Sequence, residues 1–171
     1  MKVKLIVAYC KGRGIGHKGH IPWDHPEDLQ YFSKKTKGKG NNAIIMGKMT
    51  YASIGRPLPE RYNIILSSTF TNRALHVCRN LEWALTYCRQ QEFTTAWIIG
   101  GESVYREALE KNMVDEIYTS VIDEEWECDR VFPELPGYFK EKKRERLNSS
   151  VEVIVYEKMF KDISTSISQL C

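Results

Sequence analysis

Residues 21–32 read Ile-Pro-Trp-Asp-His-Pro-Glu-Asp-Leu-Gln-Tyr-Phe, and the interpretation of the whole chain depends on them. Pro26 suits the first position of a helix, because its φ is already helical and its missing N–H is not needed there. Asp28 then lies in the first helical turn, where the helix dipole favours a negative charge. Asp28, Tyr31 and Phe32 recur at helical spacing and share one face. A carboxylate is therefore predicted beside two aromatic rings, which is unusual for a helix face.

Two interpretations of Asp28 are open at this point. An acidic residue in a first helical turn is most often exposed to water, where it only stabilises the helix. The alternative is a carboxylate in an apolar pocket, where it binds the amidine-like edge of a flat heterocycle between aromatic rings. Trp23 stands just before the helix and adds a third ring nearby. The other segments of the chain decide between these interpretations.

The composition is that of an ordinary globular chain of one domain. Its 171 residues suffice for a substantial core, and 42% hydrophobic with 27% charged residues is an average balance. A formal net charge of +3 is too small to argue for nucleic-acid binding by itself. Five scattered cysteines without a C-x-x-C pair favour free thiols in a reducing compartment, so a cytoplasmic protein is expected. The apolar run at 5–8 is too short for a membrane span, and no membrane association is expected.

Buried apolar segments alternate with segments of helical periodicity along most of the chain. This order predicts an α/β fold in one domain over residues 1–160, with a mostly parallel sheet of eight strands and about four flanking helices. A C-terminal antiparallel hairpin finishes the sheet, and its segment 140–146 reads as a charged edge strand. We interpret 34–42 as a solvated connection and 161–171 as a polar, flexible tail. Strands are predicted at 3–9, 43–46, 63–66, 76–79, 96–99, 116–122, 140–146 and 151–159, and helices from 26, at 48–54, at 81–90 and at 103–111.

Two features look like metal sites but do not have the required spacing. His17, His20 and His25 lie near Asp24, yet they fit neither a zinc finger nor H-E-x-x-H. Exposed loop histidines are therefore favoured over metal ligands. The acidic segment 123–129 lacks the spacing of a calcium loop and is interpreted as solvated. No metal is predicted.

Three predicted strands end in groups that suit phosphate. Gly47 precedes Lys48 at a strand–helix junction, where free backbone N–H groups bind anions, although the spacing is not that of a P-loop. The other two groups are Ser67-Ser68-Thr69 and Gly100-Gly101. Ligands of open α/β sheets bind at this edge, and Lys48 and Arg79 supply the positive charge that a 2′-phosphate needs. A dinucleotide, NADP(H) rather than NAD(H), is therefore expected along the edge.

Together these pieces resemble the dihydrofolate reductase family. Each motif is modest alone, but they follow the family's order over about residues 3–160 and are highly specific together. The motifs are Ile15-Gly16, Ile21-Pro22-Trp23 with Asp28-Leu29 and Phe32, Ile45-Met46-Gly47-Lys48 with Thr50, residues 53–59, Arg61 with 63–67, Ile99-Gly100-Gly101 with Val104-Tyr105, and Phe132-Pro133. The resemblance implies a three-layer fold and the reduction of 7,8-dihydrofolate to 5,6,7,8-tetrahydrofolate by NADPH, which supplies one-carbon metabolism.

The resemblance also implies roles for individual residues. Asp28 matches the acid that binds the pterin and promotes its protonation, with Ser120 and Trp23 as the other catalytic residues. Arg61 matches the arginine that binds the α-carboxylate of the substrate's glutamate tail. The further substrate-binding residues are Ile6, Val7, Tyr31, Phe32, Arg56 and Ser120. NADPH would be bound by Ala8, Ile15, Gly16, Gly47, Lys48, Met49, Thr50, Ser67, Ser68, Thr69, Arg79, Ile99, Gly100, Gly101, Glu102, Ser103, Val104 and Tyr105. The glycine-bearing loop at 12–23 would close over the nicotinamide.

Two other functions are kept as alternatives. A pteridine or riboflavin-pathway reductase of the same fold would not need Asp28 and Arg61 together. A non-catalytic nucleotide- or RNA-binding module would use the basic segment 140–146. Asp24 and Tyr51 depart from the family pattern, but neither removes a residue that the chemistry requires. The resemblance further implies a monomer that binds dihydrofolate and antifolate inhibitors and requires no nucleic acid.

Overall fold

Eight strands form the central sheet of the computed structural model, which describes residues 1–159. A second, two-stranded sheet and four α-helices complete this part of the chain. The strands are β1 (Lys2–Tyr9), β2 (Gly14–Gly16), β3 (Asn42–Gly47), β4 (Tyr62–Leu66), β5 (His76–Cys78), β6 (Thr95–Ile98), β7 (Glu116–Ile122), β8 (Arg130–Val131), β9 (Phe139–Arg146) and β10 (Val151–Lys158). The helices are α1 (Pro26–Lys37), α2 (Lys48–Ile54), α3 (Leu81–Gln90) and α4 (Glu102–Glu110), and a 3₁₀ turn spans Lys11–Arg13.

The strand order in the large sheet is β5-β4-β3-β6-β1-β7-β10-β9. Neighbours from β5 to β7 pair in parallel, whereas β10 pairs antiparallel with both β7 and β9. The predicted fold class is therefore confirmed, including the C-terminal hairpin. The predicted limits of the domain stay a prediction, and the predicted tail at 161–171 lies outside the described residues.

The central strands are buried on both faces, which explains their nearly continuous apolar sequence. In β3 the residues Ile44, Ile45 and Met46 are fully buried, and Ile64 and Ile65 are equally buried in the neighbouring β4. Each strand places successive side chains on opposite faces of the sheet, so the helices must cover both faces. The carboxyl ends of these strands are consequently held at one rigid edge.

The charged hairpin strand β9 lies at an edge of the sheet, as predicted. Its basic residues face glutamates of neighbouring strands: Arg144 and Arg146 both pair with Glu152, at 2.6 and 2.8 Å, and Lys142 approaches Glu116 at 3.3 Å. Exposed ion pairs contribute little to stability. They do neutralise most of the positive charge that made this segment look like a nucleic-acid surface.

The prediction that residues 34–42 form a solvated connection is wrong, because α1 continues to Lys37. Thr36 is fully buried, and Asn42 is buried at the start of β3. The Asn42 side-chain amide donates to the carbonyl oxygens of Thr36 and Lys37, at 3.0 and 3.2 Å. These bonds satisfy carbonyls that a helix end leaves unpaired. The lysine-rich composition of this segment concealed the two residues that face the core, Thr36 and Asn42.

The small sheet of β2 and β8 was not predicted, because strands of two or three residues are too short to show the alternation of apolar and polar residues that indicates a strand. Its pairing joins the glycine-bearing loop after β1 to the segment that follows the acidic residues 123–129. Within residues 1–159, every helix is too short or too polar to cross a membrane.

Candidate active site

A cleft of about 1470 Å³ opens at the carboxyl ends of the parallel strands, as expected for an open α/β sheet. Its walls come from β1, β2, β3, β4 and β7, from the residues that follow β6, and from helices α1, α2 and α4. Most of the predicted site residues line it: Ile6, Val7, Ala8, Ile15, Gly16, Asp28, Tyr31, Phe32, Gly47, Lys48, Met49, Thr50, Arg56, Arg61, Ser67, Arg79, Ile99, Gly100, Gly101, Glu102, Ser103, Val104, Tyr105 and Ser120. Three predicted residues lie outside this wall, namely Trp23, Ser68 and Thr69.

The carboxyl group of Asp28 is buried in the first turn of α1, with 8% of the residue exposed. Its backbone N–H donates to the carbonyl oxygen of His25 at 3.0 Å, which starts the helix. Burial raises the pKa of Asp28, while a hydrogen bond from Ser120 and the nearby His25 lower it to a smaller extent. The interpretation of Asp28 as a solvated helix acid is therefore wrong. A buried acid that faces a cleft is a candidate for proton chemistry.

The aromatic face next to Asp28 is also buried as predicted. Tyr31 is 8% exposed and Phe32 is partly buried beside it. Burial raises the pKa of the Tyr31 phenol, and its hydroxyl has no hydrogen-bond partner among residues 1–159. Trp23 packs elsewhere, in a small core cluster with Cys10 and Ile122. The ring of Trp23 is therefore buried in this cluster and does not line the cleft wall.

Arg61 is held at the rim of the cleft by two hydrogen bonds. Its Nε donates to the carbonyl oxygen of Pro59 at 2.9 Å, and its Nη1 donates to the Thr36 hydroxyl at 3.0 Å. The Thr36 hydroxyl in turn donates to the Phe32 carbonyl at 2.8 Å. Two donors of the guanidinium are thus committed to the protein, which fixes the orientation of the remaining ones. An oriented guanidinium is suited to a carboxylate.

The turn at residues 56–59 is stabilised by Asn63. The Asn63 side-chain oxygen accepts from the Leu58 N–H at 2.8 Å, and its amide donates to the carbonyl oxygens of Leu58 and Arg61, both at 2.8 Å. Arg56 is exposed on this turn and lines the cleft. The two arginines therefore stand on one braced loop, which contacts the last turns of α1 through Arg61 and Thr36.

The opposite side of the cleft is built from glycine backbone. The Gly47 N–H donates to the Gly100 carbonyl at 2.8 Å, and the peptide bond between Gly100 and Gly101 is cis. A Cβ atom on Gly100 would lie 3.2 Å from the Tyr105 hydroxyl, and one on Gly101 would lie 3.3 Å from the Thr50 hydroxyl. Added side chains would therefore be crowded where β3 and β6 lead into α2 and α4. Helix N-termini with close, unobstructed N–H groups suit phosphate.

Hydroxyl and cationic groups continue this side of the cleft. The Ser67 side-chain oxygen accepts from the N–H groups of Thr69 and Phe70, at 3.2 and 2.9 Å. The Lys48 ammonium lies 5.5 Å from the centre of the Phe70 ring. Ser68 and Arg79 line a neighbouring cavity of about 540 Å³, and Arg79 also lines the main cleft. In the predicted hydroxyl run, Ser67 therefore lines both cavities, Ser68 lines only the smaller one, and Thr69 lines neither.

The loop after β1 is attached to the acidic segment, which sequence reasoning missed. The Asp129 N–H donates to the Gly16 carbonyl at 2.9 Å, and the Lys18 N–H donates to the Asp129 carboxylate at 3.0 Å. Lys18 and Asp129 both line the cleft. Asp129 is exposed, as predicted for the acidic segment, but its contacts with the loop were not predicted. The contact spans more than a hundred residues, and only the glycine content of the loop hinted at a ligand-facing role.

The three histidines do not form a metal site. Among residues 1–159, no group of three or more histidine, cysteine, aspartate or glutamate side chains is arranged to hold a metal ion. His17 and His20 exchange two backbone hydrogen bonds, at 2.8 and 3.0 Å. The prediction that His25 is an exposed loop histidine is wrong, because only 13% of its side chain is accessible. Its ring lies 3.1 Å from the Glu124 carboxylate.

Comparison with known proteins agrees with this geometry. The sequence model of the dihydrofolate reductase family matches residues 2–161. The dihydrofolate reductase of Drosophila melanogaster is 37% identical over 153 residues, covering 82% of this chain and 84% of that protein. That of Aedes albopictus is 41% identical over 155 residues, covering 81% and 83%.

A solved structure is similar over nearly the whole chain. It is the dihydrofolate reductase from Enterococcus faecalis complexed with NADP(H) and RAB-propyl, with a TM-score of 0.78 and 26% identity. The alignment covers 92% of this chain and 96% of that one. The resemblance inferred from the motifs is confirmed by matches of sequence and of fold, and the chain belongs to the dihydrofolate reductase family.

Proposed function

We propose that the cleft beside Asp28 performs the reaction of this family, the NADPH-dependent reduction of 7,8-dihydrofolate to 5,6,7,8-tetrahydrofolate. The observation that carries the proposal is a buried carboxyl group at one end of a cleft whose other end is bare glycine backbone. One end suits a flat, nitrogen-rich ring, and the other suits a phosphorylated cofactor. The two therefore lie side by side in one cavity, as hydride transfer requires.

On the substrate side, Asp28 binds the 2-amino group and ring N3 of the pterin. Ile6, Val7, Tyr31 and Phe32 form the apolar slot around it, and Arg61 with Arg56 binds the carboxylates of the glutamate tail. Ser120 is buried on β7 beside Asp28, and its hydroxyl lowers the pKa of Asp28 against the effect of burial, so it orients the carboxyl group. Trp23 supports the closing loop through its packing. Each of these roles follows the family resemblance, and the contacts above support it.

Asp28 also assists the protonation of the substrate. A carboxyl group whose pKa is raised by burial holds its proton closer to neutral pH than a solvated aspartate does. Closure of the loop around Ile15 and Gly16 excludes water and strengthens every electrostatic contact inside the cleft. This chain thus supplies binding, orientation and one protonatable group.

The cofactor side fits NADPH, which supplies a hydride when it is bound. Gly47, Gly100 and Gly101 allow its diphosphate to approach the backbone at the starts of α2 and α4. Lys48, Ser67 and Arg79, with Ser68 and Thr69 beside them, bind the 2′-phosphate. The remaining residues line the cofactor's path, namely Ala8, Ile15, Gly16, Met49, Thr50, Ile99, Glu102, Ser103, Val104 and Tyr105.

A spectrophotometric assay tests the reaction. Purified protein is mixed with NADPH, and the loss of absorbance is followed after adding 7,8-dihydrofolate or, separately, a pyrimidinone substrate of a riboflavin-pathway reductase. Saturable oxidation is expected only with dihydrofolate, with inhibition by a diaminopyrimidine antifolate. Oxidation with the pyrimidinone alone would contradict the substrate assignment, and no oxidation with either would contradict the reaction.

We also propose that the protein acts as a monomer in the cytoplasm and without nucleic acid. Cys10, Cys78, Cys88 and Cys128 are free thiols, which agrees with a reducing compartment. The ion pairs of β9 leave little unpaired positive charge on that strand. Light scattering after gel filtration should give the mass of one chain, and a duplex-RNA titration at low salt should show no binding.

A further inference from the structure

The start of α1 is anchored in an unusual way. Residues with a side-chain oxygen normally cap the first turn of a helix, but within the described chain no side chain caps this one. The residue before the helix is His25, whose backbone is extended and whose carbonyl oxygen accepts from the N–H groups of Asp28 and Leu29, at 3.0 and 3.3 Å. The backbone of His25 therefore sets where the first turn begins.

The His25 ring is bound from two sides by segments distant in sequence. Its Nε2 lies 3.1 Å from the Glu124 carboxylate, in the segment after β7. Its Nδ1 lies 3.3 Å from the side-chain nitrogen of Asn148, in the turn between β9 and β10. Glu124 is itself fixed, since its other carboxylate oxygen accepts from the Trp126 indole at 2.9 Å. The ring thus ties α1 to two loops that flank it.

The polarity of these contacts is determined by Asn148. Its side-chain oxygen accepts from the N–H groups of Ser150 and Val151, both at 2.8 Å. The amide nitrogen must therefore face His25, and it also lies 3.3 Å from the Glu27 carboxylate. An NH₂ group only donates, so His25 Nδ1 must accept. The proton of the neutral ring then sits on Nε2, where it donates to Glu124.

We propose that His25 is a positioning residue for Asp28: its ring, held between Glu124 and Asn148, fixes the first turn of α1 and with it the carboxyl group that meets the pterin. The inference rests on the proposed role of Asp28. The charged groups that face this network are Glu27 and Asp28 on α1 and Glu124 on the opposite loop. His25 does not line the cleft, so it positions Asp28 from behind, through the start of the helix.

The test compares His25→Leu, which removes both ring contacts, with His25→Gln, which keeps a donor toward Glu124. Gln30→Leu on the exposed side of α1 is the matched control. For His25→Leu, we expect kcat with dihydrofolate to fall about three- to tenfold, because a displaced carboxyl group lowers the rate more than binding. The dissociation constant of NADPH should stay within about twofold, and His25→Gln should recover most of the rate.

A general loss of stability would not produce this pattern, because it would lower kcat and NADPH affinity together. Unchanged kcat in His25→Leu, or an equal loss of NADPH affinity, would overturn the proposal. If His25→Leu does not fold, the tautomer of the wild-type His25 ring is measured instead. Long-range ¹H–¹⁵N NMR spectra of protein with ¹⁵N-labelled histidines show which ring nitrogen carries the proton, and the signals missing from His25→Gln identify those of His25. Protonated Nε2 and unprotonated Nδ1 are expected, and the opposite tautomer would overturn the network. Full activity of Asp28→Asn would instead contradict the proposed function, whatever the His25 variants do.

Discussion

The two ends of the cleft are constructed differently. At the proposed substrate end, the side chains of Asp28 and Arg61 each have a supporting hydroxyl group, that of Ser120 beside Asp28 and that of Thr36 beside Arg61. At the cofactor end, the essential feature is the lack of side chains at the glycines between the strands and the helices. Removal of a side-chain group should therefore impair turnover or substrate binding at the first end. Addition of a side-chain group should impair cofactor binding at the second end.

The largest expected effect is the loss of the acid at the substrate end. For Asp28→Asn, kcat/KM for dihydrofolate at neutral pH should fall by about 10²- to 10⁴-fold, because an amide cannot assist protonation. Activity should partly recover in acid, where the substrate arrives protonated. NADPH affinity, measured by fluorescence quenching, should not change. The exposed Asp24→Asn is the control, and turnover of Asp28→Asn equal to that control would refute the role.

Adding one methyl group at Gly100 should weaken NADPH binding at the proposed cofactor end. Gly100 has φ of +123°, a conformation that other residues rarely adopt, and an added Cβ would press on the Tyr105 hydroxyl. Strain of this kind costs about 1–3 kcal/mol, so Gly100→Ala should weaken NADPH binding about ten- to hundredfold. Gly137→Ala is the matched control, because a Cβ there meets no atom within 4 Å.

Measuring the affinity of both ligands for the Gly100→Ala protein tests whether the two ends of the cleft are independent. Dihydrofolate should bind nearly as well as to the wild type, since Arg61 and Asp28 stand on the other wall. A thermal melt with each variant separates local strain from general unfolding. Equal loss of both affinities, with a large fall in Tm, would mean that the two ends are not independent.

Removal of the oriented guanidinium should affect only the substrate end. A hydrogen bond to a charged group contributes about 1.5–3 kcal/mol, so Arg61→Leu should raise KM for dihydrofolate about ten- to hundredfold. NADPH affinity should be unchanged. Arg89→Leu on the exposed face of α3 provides the control. If NADPH binding weakened as much as substrate binding, Arg61 would have been placed at the wrong end.

Removing the Thr36 hydroxyl, which holds Arg61, should raise KM for dihydrofolate less than removing the Arg61 guanidinium does. Thr36→Val keeps the shape of the side chain but removes the hydroxyl that accepts from Arg61 Nη1. One lost hydrogen bond of about 0.5–1.5 kcal/mol predicts a rise in KM of roughly two- to tenfold, with kcat unchanged. Thr86→Val, exposed on α3, should behave as the wild type. Additive effects in the double variant with Arg61→Leu would contradict the coupling.

The sequence predicted what depends on composition and short-range spacing. Continuous apolar runs such as Ile44 to Met46 revealed the parallel strands, and the residues that follow them marked the ligand edge. The helix face of Asp28 followed from spacing alone, although only the structure shows that it is buried. Among the predicted site residues, Trp23 failed to reach the cleft because a single aromatic ring does not reveal which core cluster it joins.

What the sequence could not reveal are contacts made across the fold. The amide of Asn42 ends α1 from the next strand, and Asp129 binds the backbone of Lys18 across 111 residues. His25 meets Glu124 and Asn148 at separations of 99 and 123 residues. Each of these polar residues looks like ordinary surface in the sequence. Their role depends on which loops the sheet topology brings together.

The smallest predicted effect is on stability, and its sign is opposite to that on activity. Because burial raises the pKa of Asp28 above 3.8, the folded state binds this proton more tightly than the unfolded state does. The ionised carboxyl group therefore lowers the free energy of unfolding at neutral pH, and this cost disappears as pH falls through the raised pKa toward 3.8. Asp28→Asn should therefore raise Tm at pH 7.

Differential scanning calorimetry of Asp28→Asn and Asp24→Asn across this pH range measures the effect. The gain in Tm should shrink as the pH is lowered, and the exposed Asp24→Asn should show none. A substitution that stabilises the fold while abolishing turnover marks a residue kept for chemistry at the expense of stability. If Asp28→Asn instead lowered Tm at pH 7, the buried carboxylate would be a structural element, and the contrast between the two ends would lose its basis.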